Sequence, residues 1–402
     1  MVNAKIVPVR GGLIMLRKGS YFYYALANGM FYYSWGTFAC IISVYLAGVG
    51  YSATEISFIT SAAPLFAMIS QPVCGMIADK LKSPKLVGII CLILCMISGL
   101  LFAYSQNFIF LFLFNGLTQG FLNGTTALSD RLATASSYPF GTIRVWGSVL
   151  YAIACQVAGF VYDYISPLAN YYIFAVAVGL TVIGFINMQD VKPQVKTNEE
   201  HFTFQEMLKA LFKNKAFIMF VVIYVLFQGP TSANSVYMPL LIKELGGTTS
   251  MVGTTLFLST MFELPAVLFS DRIMKRISYR HLMIFAGGLS AVRFVWYATC
   301  PAPTMIMSMF FFQGLTSIIF ILVAVRIIMD IVDERFVNSA YGISSMLAKG
   351  FSAFIFQMIS GNIIDYVSGT EAYTIVYFMY ALIILVATIL AFYFKMPAHR
   401  LR

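Results

Sequence analysis

Residues 71–81 read Gln71-Pro72-Val73-Cys74-Gly75-Met76-Ile77-Ala78-Asp79-Lys80-Leu81, an apolar run that ends in a carboxylate and then in base, with Lys82 and Lys85 just beyond. The apolar stretch that leads into it, residues 54–77, is long enough to cross a bilayer, which takes about 20 residues. Asp79 and Lys80 therefore stand where a span meets water, and a carboxylate beside basic groups at such a boundary suits a latch on a loop. A second copy follows a later span, where Ser270-Asp271-Arg272 closes the stretch 250–271.

Working outward from these two signatures, twelve apolar stretches fit the length of a span. They lie at 20–45, 54–77, 85–104, 107–130, 141–162, 169–188, 216–240, 250–271, 281–299, 304–325, 338–361 and 372–395. The composition agrees, since 60% of the 402 residues are hydrophobic and 10% are charged, outside the range of soluble domains. The chain reads as an all-α integral membrane protein. Its net charge of +10 does not point to nucleic acid, because the basic residues recur in short loops and not along one face. The loops after even-numbered spans carry Lys80, Lys82, Arg131, Lys192, Lys196, Arg272, Arg276 and Arg335, whereas the opposite loops hold essentially only Lys243. That asymmetry predicts both termini in the cytoplasm of a cell membrane. Lys5, Arg10, Arg17 and Lys18 lead into a full-length span without a cleavage pattern, so no signal peptide is expected. The six cysteines fall in or beside apolar segments and read as small core residues.

The longest polar stretch, residues 189–215, divides the spans six and six. Residues 1–188 and 216–402 then form two six-helix bundles joined by a cytoplasmic linker. The halves echo each other: Gly159 to Tyr164 (GFVYDY) ends the fifth span much as Gly361 to Tyr366 (GNIIDY) ends the eleventh, and Asp79 matches Asp271. Such a parallel repeat predicts a cavity between the halves near the bilayer midplane, exposed alternately to either side by rocking.

The run from Gln71 to Leu81, with its weaker copy at Asp271, resembles the cytoplasmic loop signature of the major facilitator superfamily, and the six-plus-six pattern extends that resemblance to the whole chain. Phe140-Gly141-Thr142-Ile143-Arg144-Val145-Trp146-Gly147-Ser148-Val149 is similar to the opening of the fifth helix in the branch that contains lactose, nucleoside and phenylpropionate permeases, which are proton symporters. The resemblance implies that Arg144 contacts substrate, that Tyr151 takes the place of a stacking tryptophan, and that Asp130 is the carboxylate partner of Arg144. An ungapped register puts Thr126 in that last position. Arg293 and Lys349 match basic positions of the branch and Glu263 an acid of its eighth helix, while Gln313 and Thr316 replace a coupling histidine and glutamate.

Helical spacing supplies the remaining candidates. Asn115, Gln119, Asn123, Thr126 and Asp130 share one face of the fourth span, beside a stripe of Gly116, Gly120 and Gly124 suited to close helix packing. Tyr21, Tyr24, Asn28, Tyr32 and Trp35 share a face of the first span, and Arg144, Ser148 and Tyr151 one of the fifth. Gln228-Gly229-Pro230-Thr231-Ser232-Ala233-Asn234 is expected to break the seventh span and expose backbone to a cavity. Glu263, Arg293 and Lys349 lie deep in their spans, where ions are expensive unless paired or wet, so Glu263 is expected to pair with Arg293 and to be shared with Lys349.

The three histidines, His201, His281 and His399, lie in or beside cytoplasmic segments, and neither a nucleophile–base set nor a metal-ligand cluster appears in the spans. An enzyme is therefore not expected, and without a phosphate-cradling loop transport is secondary. The sequence predicts proton-coupled uptake of a small polar solute, a saccharide or glycoside before a nucleoside or aromatic acid, with efflux by proton antiport as the alternative. A monomer in the lipid bilayer, without cofactor or metal, is expected.

Overall fold

The computed structural model describes residues 17–189 and 204–394. The linker positions Lys192, Lys196 and His201, the terminal His399 and the side chains of Asp271 and Arg272 lie outside the described part. The chain is a series of long helices: α1 (Tyr21–Val49), α2 (Ala53–Leu81), α3 (Pro84–Tyr104), α4 (Phe108–Thr134), α5 (Phe140–Tyr164), α6 (Ala169–Asn187), α7 (Lys215–Glu244), α8 (Thr249–Arg276), α9 (Tyr279–Ala298), α10 (Pro303–Ile331), α11 (Ser339–Val367) and α12 (Gly369–Tyr393). By length and composition, ten of these are apolar enough to cross a membrane. The other two, α4 and α8, have 27 and 28 residues and the reach of a span; Asn115, Gln119 and Asn123 lower the hydropathy of α4, and many side chains of α8 lie outside the described ones. No strand occurs among the described residues. Helices are what hydrocarbon demands, because each must satisfy its own backbone polar groups there.

The helix starts were readable in the sequence. Ser52 and Glu55 form a reciprocal capping box on α2, Asn107 caps α4, Asn214 caps α7 and Ser278 caps α9. Within the expected linker a short helix, Phe204–Lys213, buries Met207 and Leu211 in the core that also holds Phe217. The break expected in α7 is absent: the helix runs unbroken through Pro230 and Pro239. Hydroxyls add hydrogen bonds to carbonyls beside the first proline. Thr231 donates to the Phe227 carbonyl at 2.8 Å and Ser352 of α11 to the Val225 carbonyl at 2.9 Å. The irregular backbone lies elsewhere, at a turn over Cys40–Ile41 in α1, at Met309 in α10, and in a π-helical turn, Met346–Phe351, in α11.

The first six helices pack on one another, as do the last six, and the two groups meet chiefly along α2 with α11 and α5 with α8. The glycine stripe on α4 takes α2 in close contact, with Phe66 lying over Gly116 and Gly120 and Cys74 against Gly124. All six cysteines are free, and five are buried.

At the end away from the basic loops, two matched contacts join the halves. The Asp163 carboxylate, near the C-terminus of α5, accepts from the backbone N–H groups of Thr249 and Ser250 at 3.1 and 2.6 Å and from the Ser250 hydroxyl at 2.7 Å. Asp365, near the C-terminus of α11, accepts from the N–H groups of Ala53 and Thr54, both at 2.8 Å. Each aspartate thus caps the N-terminus of a helix in the opposite half, where unsatisfied N–H groups and the helix dipole favour an anion. These are the aspartates of the GFVYDY and GNIIDY echoes. Between them and the midplane, Ser57 and Tyr237 join hydroxyls and Thr60 donates to Gln357 at 3.2 Å. The backbones come together closely enough that a side chain on Gly253 would strike the Cys155 carbonyl, and one on Gly361 would lie 2.8 Å from that of Ala53.

At the basic end Asp79 pairs with Arg131 of its own half, Nη1 to Oδ1 at 2.6 Å, and Lys80 is exposed. The expected latch across the halves is therefore not made by Asp79 in this state. Lys85 donates to the Ile186 and Met188 carbonyls at 2.7 and 2.9 Å and so closes the C-terminus of α6.

Hydrogen bonds to an ionised partner contribute about 1.5–3 kcal/mol each. Replacing both aspartates, Asp163→Asn with Asp365→Asn, should therefore open the capped end at least about tenfold more often. Ser232→Cys, placed in the cavity described below, should then react correspondingly faster with an impermeant maleimide added on that side. An unchanged rate counts against the clamp.

Candidate functional site in the central cavity

Between the halves lies a cavity of about 430 Å³, within the size range of small-molecule sites. The first half contributes the turn at Cys40, then Thr60, Asn115, Gln119 and Tyr151; the second contributes Gln228, Ser232, Asn234, Arg293, Gln313, Lys349 and Gln357. The α1 turn and the π-helical turn of α11 both border it, in keeping with the rule that irregular backbone at membrane depth lines a cavity.

The expected site residues divide into two layers. Tyr151, Gln228, Asn234, Arg293, Gln313 and Lys349 border the cavity. Tyr24, Asn28, Asn123, Asp130, Arg144 and Glu263 do not. Tyr24 lies buried towards the basic end, its hydroxyl accepting from the Gln189 backbone N–H at 3.3 Å and its ring edge-on to Tyr138. Asn123 donates back to the Gln119 carbonyl on its own helix at 2.8 Å.

Asn28, Asp130 and Arg144 form a second cluster with Tyr32. The Arg144 guanidinium sits over the Tyr32 ring, 4.1 Å from its centre, a contact worth about 0.5–2 kcal/mol depending on desolvation. Both side-chain amide atoms of Asn28 are buried without a hydrogen-bond partner, and so is Asp130 Oδ1. Asp130 lies within Coulombic reach of Arg144 but does not form the expected ion pair with it. Gly147 makes room for the cluster: a Cβ there would stand 2.6 Å from Asn28 Oδ1 and from Tyr32 Cδ2, and 3.2 Å from Arg144 Nη1.

The expected pairings in the second half also fail. Glu263 is half-buried against Gly314 of α10 and within electrostatic reach of Tyr151, and makes no ion pair with Arg293 or Lys349. Helix rotation is the reason, since α8 turns Glu263 towards α5 and α10 while α9 holds Arg293 among the rings of Phe294 and Tyr297.

Several bordering residues had not been singled out: Thr60, Ser232, Ser235, Ser317 and Gln357. A signal existed for two sets. Lys349, Ala353 and Gln357 recur every four residues, as do Gln228 and Ser232 with Ser235 next on that face, and all six border the cavity. Asn115 has a double role, donating to the Ile59 carbonyl at 2.7 Å while its Oδ1 stays unpartnered.

Comparison with known proteins agrees with this geometry. Residues 18–393 match the family described as MFS_1 like family. The chain belongs to that family. Among its relatives are the uncharacterized transporter YwbF of Bacillus subtilis, 25% identical over 86% of this chain and 88% of that protein, and the maltose permease of Geobacillus stearothermophilus, 25% identical over 84% and 86%. In fold it is similar to the crystal structure of a mutant of the nucleoside transporter NupG, with a TM-score of 0.82 at 18% identity, covering 92% of this chain and 98% of that one. This MFS_1 like protein is accordingly a multi-pass membrane transporter of small solutes and not an enzyme.

Gly147→Ala should crowd Asn28, Tyr32 and Arg144 while leaving α5 helical, since alanine favours helix over glycine by about 1 kcal/mol. A folded, membrane-inserted variant with solute affinity reduced about tenfold is expected, measured by equilibrium binding. Unaltered affinity would show that this cluster stands apart from solute recognition.

Proposed function

We propose that this protein takes up a small, hydroxyl-rich solute by proton-coupled alternating access, with residues 1–188 and 216–402 rocking as two units about the central cavity. The observation that carries the reading is the cavity itself, lined from both halves and sealed at one end by the Asp163 and Asp365 caps. With the basic loops in the cytoplasm, the sealed end faces outward and both termini lie inside a plasma membrane. Uptake then requires the two aspartates to release their helices, and the Asp79 and Asp271 loops to meet the opposite half in return. Amides and hydroxyls from both halves share the cavity border with apolar side chains such as Ile42 and Leu256, a mixed lining that suits a saccharide or glycoside, the solute class named for the maltose permease.

Glu263 is the proton carrier in this scheme. It lies in α8 between α5 and α10 without a basic partner among the described residues, where an ion is expensive unless paired or wet. Movement of α8 against α5, which the release of Asp163 permits, changes that environment and with it the hold on the proton. Arg144, on α5, moves with the same interface and engages solute as the cavity reopens.

Glu263→Gln should retain exchange of labelled solute across proteoliposome membranes but lose accumulation driven by a proton gradient. Persistent gradient-driven accumulation in this variant would remove Glu263 from coupling. Arg144→Lys keeps the charge but loses the planar fork, and should weaken solute binding about tenfold or more in a folded protein.

A further inference from the structure

Arg293 is 0% exposed, yet it borders the cavity and all three of its guanidinium nitrogens lack a hydrogen-bond acceptor. Its near neighbours are the rings of Phe294 and Tyr297, with centres 4.7 and 5.9 Å from Cζ. Ring faces attract a cation but do not accept five N–H donors. Lys349 borders the same cavity from the π-helical turn of α11 and likewise has no ion pair among the described residues. Among those residues, no aspartate or glutamate borders the cavity. Asp130 and Glu263, the acids the sequence offered as partners, face other neighbours. Two cations thus share a cavity sealed at one end with neutral amides and hydroxyls, and no acid among the described residues on its border balances them.

We propose that the solute itself supplies that charge: it is a carboxylate-bearing polyol or glycoside, a sugar acid in chemical class, whose carboxylate docks between Arg293 and Lys349. This rests on the central cavity being the transport site. A guanidinium presents a planar fork that matches the two oxygens of a carboxylate, and lysine adds a point charge beside it. The rest of the border fits a hydroxylated body. Gln313, Asn234 and Asn115 border the cavity and each carries a buried amide oxygen without a donor, an acceptor that a solute hydroxyl meets once the side chain turns towards the cavity. Tyr151 is the one aromatic ring on the border among the described residues, so an aryl acid would find a single ring to stack on, whereas a polyol finds amides and hydroxyls from both halves. The bound carboxylate also tightens the second half, since α9 and α11 would share one ligand through Arg293 and Lys349.

The test uses purified full-length protein in liposomes, with Ser232→Cys as a cavity reporter and labelling read above that of the unsubstituted protein. The probes are lactobionate, lactose of the same size without the carboxylate, and 3-phenylpropionate. Lactobionate should protect the reporter from alkylation and bind about tenfold more tightly than lactose, and Arg293→Gln and Lys349→Gln should each abolish that preference. Arg293→Gln should melt at no lower temperature than wild type without solute, because it removes an unpaired buried charge. Lactose protecting as well as lactobionate, or a preference that survives in Arg293→Gln, overturns the sugar-acid assignment and leaves the transport cavity standing. Protection by 3-phenylpropionate alone overturns the polyol body. Protection by none of the three overturns both the assignment and the cavity as the solute site.

Discussion

Hydrocarbon accepts no hydrogen bonds and solvates no ions, and the arrangement of this protein follows from how each polar group escapes that cost. Backbone groups are satisfied within helices, so the described chain is helical throughout its spans. Hydroxyls fold back on their own helix or reach across to a neighbour, as Thr231 and Ser352 do around Pro230. Carboxylates at the span ends find helix N-termini. Among the described residues, half of the buried side-chain atoms left without a hydrogen-bond partner belong to residues of the central cavity and of the Asn28, Tyr32, Asp130 and Arg144 cluster.

That concentration links stability to function. A helix N-terminus offers several N–H donors to any anion, so Asp163 and Asp365 hold the halves together strongly while being able to let go as a unit. The two caps are related by the internal repeat, and each joins a helix of one half to a helix of the other. Close contacts at Gly253 and Gly361 let the backbones approach near the caps. Further along α2, Met68 still lies against Gly350 of α11. Two rods fastened at one end by helix caps are the geometry that rocking needs.

The charged residues show how narrow the distinction is between coupling and recognition. Glu263, Arg293 and Lys349 lie on three helices of one half, and by composition they look like a neutralised triad. In the folded chain Glu263 faces the first half and the α10 backbone, while the two bases face the cavity. Separation of the acid from the bases lets one group respond to helix movement and the others to solute, so the two tasks need not compete for the same charge.

Much of this architecture was legible in the residues alone. Apolar length located the twelve long helices to within a few residues, though not the short helix Phe204–Lys213 in the expected linker, and the GFVYDY and GNIIDY echoes exposed the repeat whose aspartates became the caps. These are local properties, set by transfer free energy and by hydrogen bonding within a few residues. The neighbour that a polar side chain meets was not legible. Helical period assigns Arg144, Glu263 and Arg293 to faces of their own helices, but rotation and rise against helices far away in the chain decide whether a face meets an acid, a ring or a cavity. The turn at Cys40–Ile41 and the π-helical turn around Lys349 shift that phase again. Only the tertiary structure decided that two bases and no described acid border the cavity, because charge pairing in a membrane depends on contacts of a few ångströms that no spacing along one helix specifies.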